Sequence, residues 1–303
     1  MRGIICAGLI AADLVFDVPA FPVKGTKNRA TASRMITGGG ALNAASAIAS
    51  LGGNAALAGG IGDDIFGAFL RQKMADRGID DRFVSVVPGM PTSCSGNMIT
   101  PDGDRTIINH RAPGLTPRDF TVPDEFGFDA ALLDTRWPEG AALIVDAARG
   151  AGKPAVVDAE APVAPAAEAL ARASHGVFSE QGLADYCGGS DGAALTLAQE
   201  RLGNWCAVTR GPLPVLCGDG RRLIEVPTVP TAAVNTLGAG DVWHGAFTLA
   251  LSRGQSEIEA VHWANAAASL KVSRPIHDET LPTAAQVDTL VNARPTYSTE
   301  GFP

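Results

Sequence analysis

Paired cysteines, long apolar stretches and blocks of like charge are all missing from this chain. Its five cysteines are scattered and none forms a C-x-x-C pair, so a zinc ribbon or a disulfide framework is not expected. The apolar stretches are too short or too interrupted to cross a bilayer, and the apolar start runs directly into Asp13 and Asp17, unlike a signal peptide. We therefore expect a cytoplasmic protein with reduced thiols and no membrane partner.

Clustered basic residues are absent as well. The formal net charge is -8, and no run of Lys and Arg offers a surface for phosphate backbones, so nucleic acid is not an expected partner. The 303 residues are enough for one large α/β domain with a small appendage.

Strand-like and helix-like segments alternate along the chain. Short apolar runs predict strands at 3–9, 55–60, 128–134, 154–158, 204–209 and 214–217. Helical patterns predict helices at 41–51, 64–77, 139–151, 164–173, 240–253 and 256–272. This alternation is typical of a parallel sheet with helices on both faces, whose strands end at one edge where ligands bind.

Two segments, 14–36 and 92–110, interrupt the alternation. The second contains the turn Pro101-Asp102-Gly103-Asp104, which predicts a hairpin. We interpret both segments as a β lid over a core of residues 1–13, 37–91 and 111–293, because a lid excludes water from a reaction. Strands added to the edge of the main sheet are the alternative. Residues 294–303 are predicted to be a frayed C-terminal tail.

The most informative run is 235–247, which reads Asn-Thr-Leu-Gly-Ala-Gly-Asp-Val-Trp-His-Gly-Ala-Phe. Gly238, Ala239 and Gly240 precede a helical pattern, so backbone N–H groups at a helix start can approach an anion closely. Asp241 lies in the first turn, where a carboxylate can accept a proton from an attacking hydroxyl. The run indicates phosphoryl transfer to an alcohol; in isolation, a glycine-rich helix cap would look the same.

A second glycine-rich run, Gly38-Gly39-Gly40, opens the helix predicted at 41–51. It is not a dinucleotide fingerprint because Asn43 stands at the third glycine, and the chain has no Walker A motif. A close-approach loop followed by an amide side chain suits the binding of sugar hydroxyls, and a plain strand-to-helix turn is the alternative.

In this order the motifs resemble the ribokinase-like sugar kinases, the PfkB carbohydrate kinases, over nearly the whole chain. The resemblance rests on Gly8 to Asp13, Gly38 to Asn43, Gly59 to Gly67, Thr209-Arg210-Gly211 and Thr236 to Asp241. It implies a ribokinase-like three-layer α/β/α fold with a mostly parallel central sheet and a small β lid. It also implies ATP-dependent phosphorylation of a sugar with Mg²⁺, and a homodimer formed through the lid.

The resemblance also implies residue roles. Asp241 corresponds to the general base, and the N–H groups of Gly238, Ala239 and Gly240 correspond to the anion hole for the γ-phosphoryl group. The implied ligands are Asp13, Gly39 and Asn43 for the sugar, and Thr209, Gly211, Gly238, Gly240 and Asn265 for the nucleotide.

Three positions depart from the family pattern. Asn235 replaces a carboxylate of the family's monovalent-cation environment, which puts potassium activation in question. The N-x-x-E motif that helps to order Mg²⁺ is not found at its expected place, where Glu180 is the remaining candidate ligand. Pro214 replaces the second glycine of T-x-G-x-x-G. None of these changes alters Asp241 or the anion hole, so an active kinase is still expected.

A narrower resemblance, to the sulfofructose kinase branch, rests on residues 105–109, 134–137 and 178–184. In that branch the positions of Lys27, Asn109 and Arg136 hold the sulfonate of 6-deoxy-6-sulfofructose, while the C1 hydroxyl receives the phosphate. A sulfonate is a permanent anion with three acceptor oxygens, which a Lys, an Arg and an amide suit. Two alternatives stay open: a fructose, ketohexose or other sugar kinase without sulfonate specificity, and a catalytically weak sugar- or nucleotide-sensing protein.

Overall fold

The computed structural model describes residues 3–117, 119–122, 126–218, 222–275 and 280–293, so the predicted tail at 294–303 lies outside the described residues. The strands are β1 Ile4–Ala7, β2 Ala11–Asp17, β3 Ala32–Gly38, β4 Ala55–Gly62, β5 Asp80–Val87, β6 Cys94–Ile99, β7 Arg105–His110, β8 Ala130–Asp134, β9 Ala155–Ala159, β10 His175–Ser179, β11 Trp205–Arg210, β12 Leu213–Gly218 and β13 Leu223–Val226. The helices are α1 Gly40–Ser50, α2 Ile65–Asp76, α3 Pro138–Gly150, α4 Ala167–Arg172, α5 Glu180–Cys187, α6 Gly192–Leu202, α7 Ala239–Ser252, α8 Glu257–Val272 and α9 Ala284–Asn292.

Nine of the described strands form the central sheet, in the order β13-β12-β11-β10-β9-β8-β1-β4-β5. The pairs β11–β12 and β12–β13 are antiparallel and the other neighbours are parallel. Helices α1, α2, α7, α8 and α9 contribute to the apolar core on one face, and α3 to α6 to the core on the other. The predicted three-layer α/β/α fold is thereby confirmed.

The central strands are buried because helices cover both faces of the sheet. Strand β8 reads Ala-Ala-Leu-Leu-Asp and is buried throughout, as expected for a continuous apolar run between two helical layers. Its last residue, Asp134, is polar because the parallel strands reach the ligand-binding edge at their carboxyl ends.

The remaining described strands form a separate lid sheet in the order β3-β2-β6-β7. The predicted hairpin is present: the Thr100 N–H donates to the Asp104 carbonyl at the turn between β6 and β7. Strand β2 begins at Ala11 and β3 ends at Gly38. The first lid segment is therefore longer at both ends than the predicted 14–36, and it reaches the first glycine of the glycine-rich loop. Gly38 leaves room for the Asp13 carboxyl group, because a Cβ at position 38 would lie 2.4 Å from its carboxyl carbon.

Helices α1 and α7 pack with close backbone contact. A Cβ at Gly245 would lie 2.8 Å from the Ala44 carbonyl oxygen, so glycine permits the approach. Both helices begin at the same edge of the sheet, and their contact brings the first turn of α1 beside the first turn of α7. Two segments about 200 positions apart in sequence are thereby joined into one site.

Several elements were not predicted from the sequence, namely β5, β10, β13, α5, α6 and α9. Strand β5 lies at the sheet edge, begins with Asp-Asp-Arg and has Ser85 within its apolar half, so it lacks a continuous apolar run. The predicted helix at 164–173 begins as a 3₁₀ turn, Ala164–Ala166, before α4.

No described helix is both long enough and apolar enough to span a membrane. All five cysteines lie among the described residues and have free thiols.

Candidate active site

Asp241 and Asn43 meet where α7 and α1 begin. The Asn43 Nδ2 donates to Asp241 Oδ2 at 2.8 Å. Burial, reinforced by the negative charge of Asp158, raises the pKa of Asp241 to about 7, although the Asn43 hydrogen bond lowers it. A carboxylate with a pKa near neutrality can accept a proton and release it again at the pH of the cell.

Backbone N–H groups without an acceptor in the described part of the chain lie at the start of α7, beside this carboxylate. Gly238 caps α7 in a left-handed conformation with φ +70°, which favours glycine. Among the described residues, the N–H groups of Gly238, Gly240 and Asp241 have no acceptor, whereas the N–H of Ala239 donates to the Thr236 carbonyl at 3.3 Å. The predicted anion-hole group of Ala239 is therefore already bonded, and the three open N–H groups point to the start of α7 as an anion site.

Asp13 belongs to a hydrogen-bonded row across the lid. Ser95 Oγ donates to Asp13 Oδ1 at 2.6 Å, and Asn97 Nδ2 donates to Ser95 Oγ at 2.8 Å. Burial raises the pKa of Asp13, while the Ser95 hydrogen bond lowers it. Asn109 pairs with Ser95 in the sheet register and so shares this face of the lid.

The predicted loop residue Gly39 connects the lid to α1. It adopts φ +87°, and a Cβ there would lie 2.2 Å from the Leu9 carbonyl oxygen. Its own carbonyl accepts the N–H of Asn43, which fixes the first turn of α1. Gly39 therefore sets the position of Asn43 through the backbone.

Acidic residues lie at the carboxyl ends of the neighbouring strands β8 and β9, Asp134 as the last residue of β8 and Asp158 as the last but one of β9. Asp134 accepts the backbone N–H groups of Leu9 and Arg136, each at 2.8 Å. Asp158 Oδ1 lies 3.5 Å from Nε2 of the α7 residue His244. Neither acid was predicted as a site residue; as an alternative to sulfonate binding, each was considered only as an ion-pair partner for Arg136.

Arg136 is already ion-paired. Its Nη2 lies 2.7 Å from Glu160 Oε2 and also donates to the Ala161 carbonyl, and its side chain is only 9% exposed. Arg111 lies near enough that burial, followed by the positive charge of Arg136, lowers its pKa. Two arginines therefore face one exposed carboxylate at this end of the site.

The three residues predicted to hold a sulfonate occupy separate elements. Lys27 lies in the exposed loop between β2 and β3, Asn109 on β7, and Arg136 beyond β8. In the part of the chain that the structure describes, no hydrogen bond or ion pair joins them to one another.

Four of the five predicted nucleotide residues line one cavity of about 380 Å³, which Thr236 and Trp243 also line, whereas the fifth, Gly238, lines a different cavity. The lining residues predicted from the sequence are Thr209, Gly211, Gly240 and Asn265. The amide of Asn265 is committed to the protein, since it accepts the Trp243 indole N–H at 2.7 Å and donates to the Pro227 carbonyl at 3.0 Å. Asn265 therefore shapes the wall of this cavity through Trp243.

A cavity of about 730 Å³ lies between the lid and residues 233–237, and a smaller one beside it is lined by Asp13, Asn43 and Gly238. Thr236 lines both the 730 Å³ and the 380 Å³ cavity. The segment from Thr236 to Gly240 thus separates a space under the lid from a space beside α8. Arg105, whose role the sequence did not indicate, joins the lid to this segment by donating to Thr236 Oγ1 at 2.6 Å.

Comparison with known proteins identifies the family of this chain. Residues 1–284 match the pfkB family of carbohydrate kinases. The ribokinase of Bacillus subtilis (strain 168) is 25% identical over 96% of this chain and 100% of its own length. The ketohexokinase of Mus musculus is 26% identical over 86% of this chain and 93% of its own. A solved structure from Agrobacterium tumefaciens, regarded as a ribokinase, has a TM-score of 0.91 and 32% identity, covering 96% of this chain and 97% of that one.

The family match over residues 1–284 identifies this chain as an enzyme that transfers a phosphoryl group to an alcohol. The chain belongs to the pfkB family of carbohydrate kinases and is an ATP-dependent sugar kinase.

Proposed function

We propose that this kinase transfers the γ-phosphoryl group of ATP to a primary hydroxyl of its sugar, with Asp241 as the general base. The observation that carries the proposal is the position of the Thr236–Gly240 segment between the two cavities, with Asp241 at its end. A sugar under the lid and a nucleotide beside α8 would then meet at the open N–H groups of α7.

In this mechanism the acceptor hydroxyl gives its proton to the Asp241 carboxylate while its oxygen forms the new bond to phosphorus. The bond between the γ-phosphorus and the bridging oxygen breaks, and ADP leaves with that oxygen's electron pair. The N–H groups of Gly238, Gly240 and Asp241 stabilise the charge on the equatorial oxygens. Asn43 keeps Asp241 oriented, and Asp13 binds a sugar hydroxyl from the lid side.

Mg²⁺ would neutralise charge on the transferred phosphates. The described residues contain no group of three His, Cys, Asp or Glu side chains able to hold a metal ion, which fits a cation that keeps several waters and binds through substrate phosphates. Glu180 begins α5 immediately beyond β10, at the same edge of the sheet, and would supply a carboxylate to this hydrated ion.

For the substrate, we propose 6-deoxy-6-sulfofructose, phosphorylated at C1. Arg136 pairs with the exposed carboxylate of Glu160, which an anionic substrate group can replace, and the neighbouring Arg111 adds a second positive charge. Asn109 shares the inner lid face with Asp13. Lys27 lies in the loop that connects the lid strands β2 and β3. A sulfonate would therefore meet Arg136 from the core and Asn109 and Lys27 from the lid.

A second candidate is a ketohexose without an anionic group. The Arg136–Glu160 ion pair favours it, because a salt-bridged arginine is already satisfied without a ligand. The mouse ketohexokinase is among the relatives.

We also propose a homodimer that forms through the outer face of the lid, in a cytoplasmic protein. Phe16 and Ile108 are exposed on that face, and Leu14, two positions before Phe16 on β2, shares the face and lies in register with Ile108 across Gly96 of β6. An exposed apolar patch on a sheet is typical of an interaction surface.

The first test is Asp241→Asn. Because the amide cannot accept the proton, turnover should fall by on the order of a hundredfold or more, measured by coupled ADP release with fructose, ribose and sulfofructose. The variant should unfold at the same or a higher temperature at pH 8, since it removes a buried charge whose pKa the fold raises. Near-normal turnover would remove Asp241 from the role of base.

The substrate proposal is tested by Arg136→Ala. We expect kcat/KM for sulfofructose to fall by roughly a hundredfold, with a change of less than about threefold for fructose, since a buried charged contact is lost only with the sulfonate. Arg172→Ala is the matched control, because Arg172, on α4, is also an ion-paired arginine. Equal losses on both sugars would favour the ketohexose reading.

The replacement of the family's carboxylate by Asn235 predicts that turnover does not need potassium. Asn235 Oδ1 accepts the Leu237 N–H at 3.0 Å, so an uncharged side chain orders the loop before the anion site. Turnover should differ by less than about twofold between potassium and tetramethylammonium salts, whereas Asn235→Asp should become more sensitive to the cation. Strong activation of the natural protein by potassium would contradict this.

The dimer is tested by Ile108→Lys, which places a charge on the outer lid face. Sedimentation should show a dimer for the natural protein and a shift to monomer for the variant, because an unpaired charge is costly in an apolar interface. Ile65→Lys, at an exposed apolar position on α2, is the control. A monomeric natural protein would rule out this assembly.

A further inference from the structure

Asn97 is a buried polar residue on the inner face of the lid. It follows Ser95 by two positions on β6, so both side chains lie on the same face, and it lines the cavity of about 730 Å³ between the lid and residues 233–237. Only 2% of Asn97 is exposed. One end of its amide, Nδ2, donates to Ser95 Oγ at 2.8 Å. The other end, Oδ1, is buried and has no hydrogen-bond partner in the described part of the chain.

The neighbours of Asn97 on the inner lid face leave Oδ1 without a donor. In register Asn97 lies between Val15 of β2 and Ile107 of β7, and Ile99 follows it on β6, so these three neighbours are apolar. Among the described lid residues, Arg34 Nε is another buried atom without a partner, and it is a donor. Arg34 lies on the far side of Val15, however, and strands are spaced by about 4.8 Å, so two strand spacings separate it from Asn97.

The cavity lies on the remaining side of Asn97. Within the described residues no hydrogen bond joins this side chain to the core segment 233–237, which forms the opposite wall. A buried acceptor without a donor destabilises a folded protein, and an apolar side chain would suit the neighbours Val15, Ile99 and Ile107 better. A ligand that brings a donor into the cavity would remove this cost.

The row of hydrogen bonds across the lid decides which end of the Asn97 amide is open. Ser95 has one hydroxyl hydrogen and an ionised Asp13 can only accept it, so Ser95 Oγ must accept from Asn97 Nδ2. A proton on Asp13 would reverse the row and leave Nδ2 open instead. A sugar hydroxyl both donates and accepts, so it fits the open end in either state, whereas an anionic oxygen fits only the second.

We propose that Asn97 binds a hydroxyl group of the sugar, and that Asp13 and Asn97 are the two ends of one hydroxyl-binding row. Ser95 Oγ lies between them, so the two ends are two hydrogen bonds apart. Because Asp13 takes one hydroxyl and Asn97 another, the substrate must carry at least two hydroxyl groups besides the one that is phosphorylated. The inference rests on the proposed binding of the sugar under the lid, and it adds a specificity-determining residue to that site.

The first experiment measures Asn97→Leu, whose side chain has a similar shape and suits its apolar neighbours but cannot bind a hydroxyl. The sugar is whichever of sulfofructose, fructose and ribose the natural enzyme phosphorylates best. We expect its KM to rise about tenfold, because one hydrogen bond is lost, while KM for ATP changes less than about twofold. A sugar KM that rises less than about threefold, or an equal rise in both KM values, would overturn the proposal.

Thr31→Val is the matched control. Thr31 lines the same cavity from the lid, but its hydroxyl donates to the Asp17 carbonyl within the lid. Its removal should leave KM for the sugar within about twofold of the natural value, because no bond to the sugar is lost. A rise as large as that of Asn97→Leu would mean that any polar loss in this cavity weakens sugar binding, and would overturn the proposal.

Ser95→Ala separates direct contact with the sugar from an effect transmitted through the row. This variant removes the link between Asn97 and Asp13. If Asn97 touches the sugar, Asn97→Leu should raise KM for the sugar by a further factor of about five or more in the Ser95→Ala background. A further rise below about twofold would mean that Asn97 acts only through Ser95, and would overturn the proposal.

Binding without ATP identifies the hydroxyl that Asn97 holds. Titration calorimetry with sulfofructose, fructose, ribose and their monodeoxy analogues should find one analogue that binds the natural protein about tenfold more weakly than its parent sugar, yet binds Asn97→Leu as well as the parent does. Equal losses for every analogue in both proteins would overturn the proposal. If none of the three sugars is phosphorylated, the proposed function fails, while these affinities still test Asn97.

Discussion

The hydrogen bond between Asn43 and Asp241 is the contact on which the candidate site depends. It joins the first turns of two helices, and it forms only because α1 and α7 approach closely at Gly245. The same contact explains how the buried Asp241 carboxylate can still be ionised and accept a proton. Burial raises its pKa, while the amide and the helix start keep the ionised form accessible.

Much of this arrangement could be predicted from the sequence. The starts of α1 and α7 can be recognised from their glycine-rich sequences, because few residues other than glycine allow such close backbone approach. The strongly apolar central strands and the lid hairpin can also be predicted from the sequence. Strands and helices with mixed faces, such as β5 and α6, were missed because their burial depends on neighbours that are distant in sequence.

The partners of polar side chains were the least predictable part. The sequence places Asn43 and Asn265 near ligands, but not the Asp241 carboxylate or the Trp243 indole that their amides bind. Glu160, which pairs with Arg136, follows a strand whose end was recognised, yet the pairing depends on how two loops meet. Such contacts are tertiary, since each joins residues from separate elements, and no local periodicity encodes them.

The lid is built from two separate excursions of the chain, and this has a consequence for how the family can diversify. Its two inner strands, β2 and β6, are parallel neighbours, so neither hairpin completes the sheet without the other. Loss of one excursion would expose an unpaired edge, and a shift of one residue would turn Asp13 or Ser95 away from the cleft. Insertions in the loops at the two hairpin tips, by contrast, would leave this register and the row of polar groups on the lid undisturbed.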